Sequence, residues 1–125
     1  MSTPPTTDHA KAEQFAGKAL GDMSGAVTVV MCALGDRLGL FKDLAANGPT
    51  TSAGVADRVG LNERYVREWL SMMSSAGYLH YEPATQRFAL PPEHIPVLAQ
   101  ENGPFFFGGM YQIFSGWPVL YEVSP

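Results

Sequence analysis

Residues 50–90 leave the chain few ways to fold, because they spell two short helices, a tight turn between them and a hairpin after them. Thr51 or Ser52 is a good start for the first helix, since either side-chain oxygen can accept an orphan backbone N–H. Val55, Ala56 and Val59 form one apolar face at helical spacing. Ala56 is small enough for a second helix to cross closely, and Gly60 can take the left-handed conformation that ends a helix. Asn62 caps the second helix, in which Val66, Trp69, Leu70 and Met73 recur at i, i+3, i+4 and i+7 and face a core. Gly77 ends it. Residues 78–82 and 87–90 are short strands, with Pro83-Ala84-Thr85-Gln86 as the hairpin turn. The pattern is a helix-turn-helix with a two-stranded wing. Such units either grip DNA or serve as dimerisation and pocket-covering modules of larger enzymes.

The flanking sequence adds helices on both sides. Residues 1–8 are a Pro/Thr-rich arm expected to be disordered. Residues 9–47 read as N-terminal helices, one from His9 to near Ala19 and a longer one from about Ser24 to Ala45, with Ala26, Val29, Val30, Ala33, Leu34, Leu38 and Phe41 as a broad apolar stripe. Asn47-Gly48-Pro49 ends the second, and residues 48–90 are the winged-helix unit. Residues 91–125 form a C-terminal helical segment, opened by Pro91-Pro92-Glu93 because proline is tolerated in a first turn. The expected fold is therefore mainly α: a winged helix-turn-helix with a short two-stranded wing and additional N- and C-terminal helices.

Charge and cysteine content narrow the function classes. A net charge of −4 over 125 residues repels a phosphate backbone on average. The single cysteine, Cys32, cannot form an intrachain disulfide, and a cytoplasmic setting is expected. The N-terminus lacks the basic residues and apolar run of a signal peptide, and no uninterrupted apolar run approaches the ~20 residues of a membrane span. Residues 105–121 carry no charge and seven aromatic side chains, so exposure to water would be an aggregation hazard. They must pack on their own core, a second subunit or a further domain. The chain stops soon afterwards, which reads as a domain cut from a longer protein.

Several pieces taken in order resemble a known family. Phe15-Ala16-Gly17-Lys18-Ala19-Leu20-Gly21-Asp22, then Gly35-Asp36-Arg37-Leu38-Gly39-Leu40-Phe41, then residues 61–70 and Ala76-Gly77-Tyr78-Leu79, are similar to the N-terminal region of class I S-adenosylmethionine-dependent methyltransferases of the actinobacterial type. In such enzymes this region dimerises and helps cover the substrate pocket, while a separate Rossmann-like domain binds the cofactor. The resemblance implies a homodimer, a small apolar or aromatic substrate for the full-length protein, and S-adenosylmethionine as that protein's cofactor. The chain departs from the whole family pattern in having no strand that leads into an acidic-Gly-x-Gly-x-Gly turn and no downstream acid placed for ribose hydroxyls. No catalytic or cofactor-binding residue is therefore expected here, and the chain alone is expected to be inactive.

The candidate sites follow. Phe105, Phe106, Met110, Tyr111, Phe114 and Trp117, with Met31, are candidates for a dimer interface or the lining of an apolar substrate pocket. The alternative, a DNA-binding regulator, would use Asn62, Arg64, Arg67 and Arg87. Glu63 and Glu68 neutralise the two helical arginines, and Glu82 faces Arg87 across the wing, so nucleic acid is not expected as a partner. A free-standing small-molecule-binding protein is a third reading. Gly17, Gly21 and Gly25 recur every four residues; Ala19 after Lys18 breaks a phosphate-loop pattern, and close helix packing is the better account. His9, His80, His94 and Cys32 show no metal-ligand spacing. His80 is expected to be half-buried, and His94 a surface residue at a helix start.

Overall fold

A computed structural model describes residues 6–116. Helix α1 runs from His9–Arg37, α2 from Leu40–Asn47, α3 from Ser52–Val59 and α4 from Glu63–Ser75. Strands β1 (His80–Glu82) and β2 (Arg87–Ala89) follow, then a 3-10 turn over Pro92–His94, α5 (Ile95–Leu98) and α6 (Gly108–Ser115). The strands pair antiparallel, with Tyr81 opposite Phe88. Thr50 bridges to Phe88 from the loop before α3, which straps the wing onto the helices.

Where the expected caps were local, the folded chain uses them. The Thr51 side chain accepts from the Gly54 N–H and the Asn62 side chain from the Arg64 N–H. Gly60 and Gly77 follow α3 and α4 with φ of 72° and 83°, left-handed geometry that favours glycine. The residues at helical spacing on α3 and α4 meet in one core with Cys32, Leu40, Phe41, Leu44, Leu79 and Phe88.

The N-terminal helices differ from the expected pair. α1 continues unbroken through residues 20–23, and the break falls at Gly39, whose φ is 74°. A glycine inside a helix costs only about 1 kcal/mol, and the Lys18–Asp22 ion pair at 2.8 Å spans the Gly21 turn. Asp8 caps α1 by accepting from the Ala10 and Lys11 N–H groups. The end of the expected disordered arm is thus structured, and residues 1–5 lie outside the described residues. The strands are three residues each, shorter than expected. All of β1 is exposed, His80 included, because a two-stranded wing has one packed side and Phe88 of β2 occupies it. By length and composition alone α1 could cross a membrane. Its last turns, however, are part of the core: Cys32, Ala33 and Gly35 are buried, and the Met31 carbonyl accepts from the Trp69 indole at 2.9 Å.

Candidate interface and ligand-binding surfaces

α1 rises about 1.5 Å per residue, so only its C-terminal half reaches the core. The side that meets the core carries Thr28, Cys32 and Gly35, one turn apart each. At Gly35 the Trp69 ring closes directly onto the backbone. The N-terminal continuation of that side is Gly17, Gly21 and Gly25, and no atom of the described chain comes within 4 Å of where a Cβ would stand. The close helix packing expected at these glycines is thus not made among the described residues. The opposite side is apolar: Phe15, Leu20, Met23, Val27, Val30 and Leu34 are all exposed, Phe15 at 70 % and Leu20 at 63 %. Such a contiguous apolar stripe, left uncovered by the described residues, is the signature of an interaction surface.

α6 packs along the C-terminal half of α1 and is held there by polar contacts that the sequence did not signal. The Gln112 amide donates to the Ala33 carbonyl at 2.8 Å and to Asp36 at 3.2 Å, while its oxygen accepts from Arg37 at 2.9 Å. Gly108 is buried at the start of α6 because the Phe106 ring and the Asp36 carboxylate both lie under 3 Å from its would-be Cβ.

This arrangement divides the aromatic candidates. Phe106 and Tyr111 turn toward the chain, whereas Phe105, Met110 and Phe114 are exposed, Phe114 at 58 %. Met31 is half-buried against the core. Trp117 lies outside the described residues, as does the end of the charge-free stretch to residue 121. The Tyr111 hydroxyl meets that of Tyr78 at 3.0 Å above the buried Cys32. Burial pushes the Cys32 thiol up to about 11 and raises both tyrosines, Tyr111 most strongly. At neutral pH all three are protonated, uncharged groups. His94, expected at the surface, is half-buried, with its Nδ1 2.7 Å from the Tyr78 carbonyl.

Three of the four side chains of the nucleic-acid alternative make contacts within their own helix. Asn62 caps α4, Arg64 lies 3.4 Å from Glu68 and Arg67 3.7 Å from Glu63, each one helical turn away. Arg87 is exposed on β2, opposite Glu82. A cavity of about 480 Å³ between α4 and the wing is lined by Ser52, Glu63, Arg67 and Tyr81, and there Ser52 bonds Glu63. No group of three or more His, Cys, Asp or Glu among the described residues could hold a metal.

Comparison with known proteins places this architecture. A family model described as an Rv2258c-like winged HTH domain matches residues 25–100. No curated protein matches the chain by sequence. Among solved structures, "PigF with SAH" superposes with a TM-score of 0.72 at 21 % identity over 85 % of this chain and 31 % of that one. The mitomycin 7-O-methyltransferase MmcR does so at 0.70 and 19 %, over 90 % and 34 %. Human N-acetylserotonin methyltransferase in complex with SAM does so at 0.64 and 19 %, over 98 % and 35 %. The chain thus spans about a third of the length of these solved structures.

Proposed function

The chain belongs to the Rv2258c-like winged helix-turn-helix domain family, and from that premise we propose that it is the N-terminal dimerisation and substrate-covering domain of an S-adenosylmethionine-dependent methyltransferase. The observation that carries the reading is the apolar face of α1, which neither the core nor α6 covers. A second copy is the natural occupant. Two-fold pairing sets the same stripe against itself, and an apolar, aromatic centre is typical of obligate interfaces. The exposed Met110 and Phe114 of α6, with Phe105 ahead of it, extend the surface, while Tyr111 suits the wall of a pocket.

The residues described do not fit the cofactor. The two strands form an antiparallel hairpin, not a parallel strand running into a glycine-rich turn at a helix N-terminus. Asp43 accepts from Nε and Nη2 of Arg58, each at 2.9 Å, and Asp36 accepts from Gln112, so neither carboxylate is free. Methyl transfer in this reading belongs to the longer protein, and this chain contributes shape, association and exclusion of water from the substrate.

Size exclusion with light scattering tests the association. We expect a dimer, and a shift to monomer when Val27→Asp places a charge in the stripe. A wild-type monomer that is soluble and folded at high micromolar concentration overturns the reading.

A further inference from the structure

A cavity of about 270 Å³ opens between the end of α4, the Pro92–His94 turn with α5, and α6. Its walls are Tyr78, Glu93, His94, Val97, Phe107 and Tyr111. Each pair of neighbouring segments is tied by a hydrogen bond. His94 Nδ1 meets the Tyr78 carbonyl at 2.7 Å, the Phe107 N–H donates to the Val97 carbonyl at 2.9 Å, and the hydroxyls of Tyr78 and Tyr111 meet at 3.0 Å. The cavity is therefore braced before any ligand arrives, which lowers the ordering cost of binding.

The brace also fixes the chemistry of the histidine. A carbonyl can only accept, so Nδ1 carries the proton and Nε2 of the neutral ring carries a lone pair. Nε2 has no hydrogen-bond partner among the described residues. The same cavity is lined by the apolar side chains of Val97 and Phe107 and by Tyr111, and the Glu93 carboxylate among its lining residues disfavours an anion. The volume falls just below the ~300–1,000 Å³ of drug-sized sites, which matches an occupant of one or two rings.

We infer that this cavity binds a small, uncharged, planar ring compound bearing a hydroxyl or N–H that donates to His94 Nε2. The inference deepens the substrate-covering half of the proposed function and does not depend on the dimer half.

The probes are 1-naphthol, naphthalene and 1-methoxynaphthalene, which share a ring system and differ in the donor. Binding is followed by titration calorimetry and by the ring-nitrogen resonances of His94. The full 125-residue chain is expected to bind 1-naphthol saturably, one per chain, about fivefold more tightly than either donor-free probe, the worth of one net hydrogen bond. The His94 Nε2 resonance should move on binding. His94→Asn keeps an amide N–H for the Tyr78 carbonyl but removes the Nε2 acceptor; it should retain the fold by circular dichroism and bind the three probes within about twofold of one another. Val97→Phe, which fills the cavity, should abolish binding of all three. No saturation with 1-naphthol, equal binding of the three probes by the wild-type chain, or an unchanged preference in His94→Asn overturns the inference. Light scattering on the same samples separates the outcomes: loss of the dimer with naphthol binding intact sinks the association reading and leaves this one standing.

Discussion

A methyl group at Gly35 would stand 2.3 Å from the Trp69 ring and 2.9 Å from Phe41, both rigid aromatics that also meet each other edge to face at 5.1 Å. Gly35→Ala is therefore expected to force α1 off the core and to destabilise by about 1–3 kcal/mol, as overpacking does, read as a lowered Tm in calorimetry. Nothing local in the sequence announces this, since the constraint comes from a side chain on another helix. Cys32 makes a prediction of the opposite kind, visible in pH. Its thiol rises from an ordinary 9.0 to about 11 in the fold, and Tyr78 and Tyr111 rise too. The unfolded chain then loses these protons first, so the stabilisation is complete below about pH 9 and is lost as pH climbs from there toward 11. Urea midpoints measured from pH 8 to 11 should fall steadily; a flat profile would show that burial does not hold these groups neutral.

Among the elements, α3 and α4 were the most legible because everything that defines them is close in sequence: an oxygen-bearing cap, an apolar row and a terminal glycine. Asn62→Ala should cost about 1 kcal/mol by exposing the first N–H groups of α4, and chemical denaturation measures it directly. α1 was less legible. Residues 20–23 read as a gap between two helices, whereas a long helix absorbs the weak residues there and the left-handed Gly39 sets its true end. The wing was legible in place but too long, for two strands with one packed side lose their outer residues to water. The α1–α6 clamp was not legible at all. Gln112 is one polar residue in an aromatic run, and its partners Ala33, Asp36 and Arg37 lie at the far end of the chain. Gln112→Ala should leave Asp36 and Arg37 without this link and loosen α6, visible as faster amide exchange from 108 to 115 while α4 keeps its protection.

At the scale of the whole molecule, the aromatic stretch was recognised as something that must be covered, but not which rings the chain covers itself. That division follows from the angle at which α6 lies on α1, a property of distant contacts. Phe114→Asp places a charge on the exposed side and is expected to weaken self-association without unfolding the core, whereas a change at the half-buried Phe106 would disturb both. The first half of α1 carries a further consequence. A single glycine-bearing helix of this length is marginal in water when nothing packs on it, and no part of the described chain approaches its glycine face. In the proposed dimer, its winding and the meeting of two copies would become one equilibrium, governed by mass action. Far-ultraviolet helicity should decline on dilution through the dissociation constant, while the Trp69 environment stays native. The helix would then report the local abundance of its own protein, wound where copies are crowded and unravelled where they are scarce.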